Sequence, residues 1–277
     1  MKIAYFGYDF FSGCLESLIR HGHQILKVYS FETDNKYNFN KQVISQAENY
    51  SIPVKLNKVT HQDIEEMRKE GCELFVSAAY PYKIPINFNY DRGINIHPTL
   101  LPEGRGPWPL PYIILKDLKS SGVTIHKLEK KFDAGEILLQ KKFSIDKQET
   151  LESLSFKCHL AAIHLIEHLM FDFDSIWENA QKQDGGTYWA FPSDEQQTID
   201  WEKPMSDIDR LIRAYGKLHS TAKFDNQSWL VSDATVWEET HEFLPGTVVL
   251  RSNKELLIAA KYGFVALRHF ELEGENL

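Results

Sequence analysis

The sequence predicts an α/β fold, with a mostly parallel, Rossmann-like sheet running to about residue 190 and a small β-rich C-terminal domain after it. Three observations carry this. The chain opens strand–helix–strand, which calls for a parallel sheet with right-handed crossovers. Two later apolar runs, Leu74–Ala79 and Gly93–Pro98, are short and end in punctuating residues, as buried strands do. From Thr221 onward the long helical patterns give way to short strands separated by turns.

Taken in order, Lys2–Gly7 is a buried strand ending in Gly, and Asp9 caps a helix over Phe10–Arg20 with Phe11, Leu15, Leu18 and Ile19 near helical spacing. The Gly7 to Gly13 spacing is not GxGxxG, so no dinucleotide site is assigned. Tyr8, Asp9 and Phe10 stand at the carboxyl end of the first strand, where open α/β sheets bind ligands. His23–Phe31 is the second strand, and Thr33–Asn40 a polar, Asn-rich loop. Helices are expected at Gln42–Tyr50 and His61–Glu70, with a short strand at Val54–Leu56 between them. Pro111–Leu118 reads as a helix, Gly122–Leu128 and Gly135–Ile145 as strands, and Glu149–Trp177 as one long helix. His159, His164 and His168 on that helix read as a mixed polar face rather than a metal site. The boundary begins at Asp184–Trp189, giving domains over 1–190 and 191–277, the second comprising a linker helix at Asp207–Ala214 and the β-rich tail.

Composition narrows the function class. At 277 residues the chain can bury one large core or two. A net charge of −8 argues against a broad nucleic-acid footprint. Cys14, Cys72 and Cys158 are scattered without metal-ligand spacing, which favours a reducing compartment. No apolar run reaches the ~20 residues of a membrane span and there is no signal-peptide layout, so a cytoplasmic enzyme is expected.

The chemistry-bearing stretch is Gly93–Asp133. Asn95 and His97 are two apart on a strand, so their side chains share a face, with Ile94 and Ile96 on the other. Pro98 ends the ladder. Imidazole suits proton transfer near neutral pH, and an amide donor beside it can meet a developing oxyanion. Asp133, on the turn Phe132–Gly135, is the candidate to orient the ring and favour its protonated form. No Ser or Cys nucleophile accompanies them, so the set suits direct attack of an amine or water on a carbonyl. Arg105 either pairs with a phosphate or carboxylate or ties its loop to the body. Trp108 either stacks on a base or sugar or packs, and His126 is expected to be structural.

Asn95-Ile96-His97-Pro98-Thr99-Leu100-Leu101-Pro102, Arg105-Gly106, Ser121-Gly122-Val123-Thr124 and Asp133-Ala134-Gly135-Glu136-Ile137-Leu138 occur in an order and spacing that resembles the 10-formyltetrahydrofolate-dependent formyltransferase family. Thr99 stands where that family typically has Ser. The resemblance implies the formyltransferase fold, a catalytic triad of Asn95, His97 and Asp133, 10-formyltetrahydrofolate as co-substrate and no metal. It implies pterin contacts along Tyr82, Lys83 and Ile84, with Tyr80, Thr124 and Lys130 in the same cofactor-binding set. Tyr8, Asp9, Phe10, Arg105, Trp108 and Tyr215 make up the expected substrate-binding set.

Within that family, the branch acting on initiator methionyl-tRNA carries a longer, basic loop after the second strand, whereas here Thr33–Asn40 is short and its surroundings hold only Lys36 and Lys41. Together with the acidic charge and a shortened tail resembling the family's small β-barrel domain, this points to the branch that formylates nucleotide-linked amino sugars, such as a dTDP-4-amino-4,6-dideoxyhexose, for surface polysaccharides such as lipopolysaccharide O-antigen. The partner is then a small nucleotide sugar, with no nucleic acid and no membrane, and a homodimer through the β-rich tail. Methionyl-tRNA formylation and a non-catalytic folate or nucleotide sensor on the same fold are the alternatives.

Overall fold

The computed structural model describes residues 1–33, 39–252 and 255–274. Lys36, part of the loop comparison above, lies outside them. In chain order the elements are β1 (Lys2–Gly7), α1 (Ser12–Arg20), β2 (Gln24–Tyr29), α2 (Lys41–Asn49), β3 (Val54–Lys55), α3 (His61–Lys69), β4 (Leu74–Ala78), β5 (Gly93–His97), α4 (Leu110–Leu115), β6 (Ser120–Lys127), β7 (Ile137–Ser144), α5 (Leu151–Phe171), α6 (Phe173–Glu178), α7 (Asp194–Gln197), α8 (Met205–Tyr215), β8 (Ser220–Phe224), β9 (Gln227–Glu238), β10 (Val248–Arg251), β11 (Leu256–Ala260) and β12 (Gly263–Leu272). They fall into two compact units. One takes in Met1–Pro109, Ser120–Ser144 and Ser155–Trp189; the other takes in Leu110–Lys119, Ile145–Leu154 and Ala190–Leu277.

The first unit is built on a seven-stranded sheet of order β3-β2-β1-β4-β5-β6-β7. The pairings among β3, β2, β1, β4 and β5 are parallel, and those of β5 with β6 and β6 with β7 are antiparallel. Apolar runs without alternation, such as Ile3–Phe6 and Leu74–Val76, suit strands covered on both faces, and these residues are buried. Gly7 is required where β1 and β4 close: a Cβ there would stand 2.7 Å from the Ala78 carbonyl oxygen. α3 opens with a reciprocal cap, in which the Asp63 N–H donates to Thr60 Oγ1 and the Thr60 N–H donates to Asp63 Oδ2. The expected single helix over Glu149–Trp177 is two helices, because Asp172 leaves helical geometry at φ −139°, ψ 52° and restarts the chain as α6.

The second unit carries a five-stranded sheet of order β10-β11-β12-β9-β8, antiparallel throughout. Among the described residues it is an open sheet with β10 and β8 as its edges, not the closed barrel the resemblance suggested. α8 packs on it with Met205, Ile208 and Ile212, which join Trp201, Val231, Ile258, Val265 and Leu267 in one apolar core. No helix of the described residues is long and apolar enough to cross a membrane.

Candidate active site

The site forms within the first unit, where β5 ends. The β5–β6 register sets Asn95 opposite His126 and His97 opposite Thr124. Directly opposed residues of an antiparallel pair project to the same face, and so do residues two apart. All four side chains therefore share one face, while Ile94 and Ile96 fill the core on the other.

Asp133 reaches them from the turn after β6. It adopts φ 56°, a left-handed conformation that Asp tolerates and that marks turns and functional sites. Its Oδ2 accepts the Gly106 N–H at 3.0 Å, and its Oδ1 accepts from Asn95 Nδ2 at 3.3 Å. The same Oδ1 lies 3.5 Å from His97 Nδ1 and 3.6 Å from His126 Nε2. Burial would raise the Asp133 carboxyl, but the rings of His126 and His97 and the Gly106 N–H outweigh it and hold it down to about 2.

His97 is only 4% exposed. Its Nε2 donates to the Gly104 carbonyl at 2.8 Å, leaving Nδ1 toward Asp133. The expectation that Asp133 raises the His97 pKa holds only for its own contribution. Burial acts the other way and is the larger effect, so the ring titrates below the ordinary histidine value of 6.5 despite Asp133 and the Gly104 carbonyl. The imidazole is thus neutral near pH 7, the form a proton acceptor needs.

The loop after β5 is fastened from two sides. Thr124 Oγ1 donates to the Thr99 carbonyl at 2.7 Å and accepts the Leu101 N–H at 3.1 Å and Gln140 Nε2 at 2.9 Å. Gln183 Nε2 donates to the Asp133 and Gly135 carbonyls at 2.9 and 2.7 Å, while its Oε1 accepts from Arg105 Nε and Nη2 at 2.9 and 2.6 Å. Trp189 covers the loop, with its N–H on the Arg105 carbonyl at 2.7 Å. Gly106 is essential to that fit: at φ 127° a Cβ would stand 2.0 Å from the Trp189 carbonyl oxygen.

Asn95, His97 and Asp133 are thus gathered into one cluster. Of the other expected residues, Tyr8 and Phe10 are half-buried at the end of β1, their rings stacked 6.2 Å apart, and burial pushes the Tyr8 hydroxyl up to about 12. Asp9 is committed elsewhere: its carboxylate accepts the Gln42 and Val43 N–H groups at 3.1 and 2.9 Å and so caps α2. Tyr80 and Ile84 are buried in the core beside Phe6 and Phe75, whereas Tyr82 and Lys83 are exposed after β4. Lys83 Nζ sits 5.4 Å over the Phe132 ring, and Lys130 is exposed on the same turn segment as Phe132.

Thr124 is fully buried and its hydroxyl is used up in holding the loop, so it offers a ligand nothing. Of the two roles weighed for Arg105, its contacts with Gln183 realise the loop tie. Trp108 is half-buried. Tyr215, in the second unit, is wholly buried and its hydroxyl donates to the Gln196 carbonyl at 3.3 Å, a packing role there. His159 is tied to the Phe10 carbonyl at 2.9 Å, and among the described residues no group of His, Cys, Asp and Glu is arranged to hold a metal.

Sequence reasoning undervalued His126 and gave Gln183 no role. His126 shares the alternation of Thr124, a signal visible in the sequence, but its nearness to Asn95 needs the strand register. Gln183 lies in an irregular segment with no periodicity to read.

Residues 2–168 match the family described as Formyl transferase, and residues 193–277 match the one described as Formyl transferase, C-terminal domain. The methionyl-tRNA formyltransferase of Rickettsia bellii (strain RML369-C) is 27% identical over 289 residues, covering 100% of this chain and 94% of that protein. The crystal structure of HypX from Aquifex aeolicus in complex with tetrahydrofolic acid superposes with a TM-score of 0.70 at 17% identity, covering 99% of this chain but only 44% of HypX. The N-formyltransferase from Helicobacter canadensis, in complex with folinic acid and dTDP-3-aminofucose, has a TM-score of 0.68 at 17% identity, with 98% of this chain and 99% of that one covered. At such identities the two structures speak for the fold.

Proposed function

This chain belongs to the formyl transferase family, and from that premise we propose that it transfers a formyl group from 10-formyltetrahydrofolate to the amine of a nucleotide-linked amino sugar. The observation that carries the reading is the buried meeting of Asn95, His97 and Asp133 at the end of β5. The neutral amine attacks the formyl carbon and a C–N bond forms. Asn95 donates to the tetrahedral oxyanion. His97 accepts the amine proton, and as it charges it gains Asp133 Oδ1, 3.5 Å from Nδ1, as an ionic partner. The intermediate then collapses: the bond to the folate N10 breaks, His97 returns the proton to that nitrogen, and tetrahydrofolate leaves. Holding the two reactants in one cleft supplies much of the rate.

The donor is supported by the family and by the folate compounds bound in its two structural relatives. The pterin is assigned to the segment after β4, where Tyr82 and Lys83 are exposed. The sugar acceptor is supported by the chain's net charge of −8 and by the end-to-end likeness to the Helicobacter canadensis enzyme, whose ligand is an amino sugar nucleotide. The Rickettsia bellii relative favours a second reading, methionyl-tRNA formylation, which predicts strongly salt-dependent binding of charged tRNA. A role in surface polysaccharide synthesis follows from the sugar reading, and a homodimer through the β-rich unit belongs to the same proposal. Sedimentation as a monomer at every concentration would exclude the dimer.

The deciding experiment mixes the protein and 10-formyltetrahydrofolate with dTDP- and UDP-linked amino sugars and with methionyl-tRNA, following tetrahydrofolate release and product mass. A gain of one formyl group on a sugar nucleotide is the expected result, and modification of the tRNA alone would replace the first reading with the second.

A further inference from the structure

His126 is the buried ring of the cluster to which the proposed chemistry gives no task. It is 1% exposed, and its Nδ1 lies 2.8 Å from the Lys127 carbonyl oxygen. A carbonyl oxygen only accepts, so Nδ1 carries a proton, and Nε2, which faces an amide nitrogen, is the ring atom left to accept. Nε2 is 3.2 Å from Asn95 Nδ2, which also reaches Asp133 Oδ1 at 3.3 Å. Two acceptors therefore crowd the same end of the Asn95 amide. The flipped amide would set its oxygen against a carboxylate oxygen and a nitrogen lone pair, so the nitrogen must face them. The direct Asn95–His126 register pair makes this contact a property of the sheet itself.

We infer that His126 is a positioning residue for Asn95: its Nε2 accepts one of the two amide protons in the resting site, fixes the amide plane, and yields that proton to the oxyanion as it forms. Between the two acceptors, the charged Asp133 carboxylate makes the stronger bond and the imidazole nitrogen the weaker, so His126 is the one that lets go. Pairing both protons in the resting state also avoids burying an unmet donor, which carries its own cost. The inference rests on the formyl-transfer reading for its catalytic meaning, while the resting contact stands without it.

The test uses the full chain with His126→Leu, His126→Gln, Asn95→Ala and the double variant Asn95→Ala/His126→Leu. His126→Leu is expected to lower kcat about tenfold, part of the 10²–10³ that loss of an oxyanion donor costs, with KM for donor and amine within about twofold. His126→Gln, which keeps an acceptor oxygen, recovers most of the loss and guards against a folding artefact in the leucine variant. In the Asn95→Ala background, His126→Leu is expected to cost nothing further. Parent-like kcat in His126→Leu, or an undiminished loss in the double variant, overturns the inference.

A second measurement is independent of turnover. Nitrogen-15 NMR of the parent should show His126 protonated at Nδ1 and the Asn95 side-chain amide protected from exchange, with protection lost in His126→Leu and kept in His126→Gln. An Nε2-protonated His126, or an Asn95 amide indifferent to both substitutions, overturns the inference. If the parent formylates no amine at all, the proposed function fails on the kinetic arm while the spectra still decide the contact.

Discussion

The first unit buries His97, Thr99, Ser121, Thr124, His126 and Asp133 around the end of one strand, whereas the second unit's core is Trp201, Met205, Ile208, Ile212, Val231, Ile258 and Val265, and the polar residues it buries among those described are Glu149 and Ser220. The contrast is energetic. A buried apolar side chain contributes about 1.5–3 kcal/mol by leaving water, but a buried ionisable group is costly unless its partners are complete. The first unit meets that requirement at the capping Asp63, held by Thr60 and Lys55, and most densely at Asp133. There Asp133 finds the Gly106 N–H and the Asn95 amide, and His97 finds the Gly104 carbonyl. Concentrated, mutually satisfied polar burial marks chemistry, while purely apolar burial marks support.

Substitutions at the two kinds of site should separate turnover from stability. The largest effect on turnover is expected for His97→Ala: kcat for tetrahydrofolate release, counted per folded molecule, falls by about 10²–10⁴, the range for loss of a general acid–base group. A kcat close to the parent's would remove the mechanism. Gly106→Ala comes next and breaks the comparison on both sides, because its Cβ collides with the Trp189 carbonyl and displaces the N–H that holds Asp133. Its expected cost is about 1–3 kcal/mol in stability, seen in urea unfolding, together with a loss of kcat smaller than that of His97→Ala.

A smaller effect concerns pH. His97 titrates below 6.5, so a neutral base survives on acidification, and the acid limb of kcat/KM should fall below pH 6.5. The Asp133 charge raises the His97 pKa, so Asp133→Asn should move that limb to still lower pH while lowering the plateau. A limb above pH 6.5 in the parent would mean that Asp133, not burial, dominates the ring. Stability should respond to Asp133 in a different window: its depressed carboxyl contributes above pH 3.8, and that contribution disappears as pH falls toward 2. The smallest change in turnover is expected for Ile258→Ala in the second core. It should cost about 2–5 kcal/mol in thermal or urea unfolding, yet leave kcat per folded molecule unchanged. A fall in kcat well below the melting range would show that the second unit is more than support.

Much of the architecture was legible because it follows from local rules. The strand–helix–strand opening implied parallel pairing, and the run of short C-terminal strands implied a β-rich second domain, whose antiparallel order is set by pairing along the chain. The spacing of two between Asn95 and His97 put both side chains on one face whatever the surroundings. Other features depended on partners far along the chain. Asp9 looks like a cap for the helix beside it, yet its carboxylate caps α2 more than thirty residues away. Thr124 resembles a ligand-facing hydroxyl, yet it holds the Thr99–Leu101 backbone. Tyr215 follows an amphipathic helix like an exposed ring, yet nothing of it is exposed.

The sequence by itself determined which residues are chemically equipped and which strand face carries Asn95 and His97, because side-chain type and the two-residue period are properties of the chain. Only the tertiary structure decided which groups meet and in what protonation state. The antiparallel register of β5 and β6 sets His126 against Asn95. The left-handed turn at residue 133 brings in the carboxylate, and burial outweighs that carboxylate to keep the His97 ring neutral. Register, turn geometry and desolvation each depend on atoms distant in sequence, and their balance exists only once the fold has closed around them.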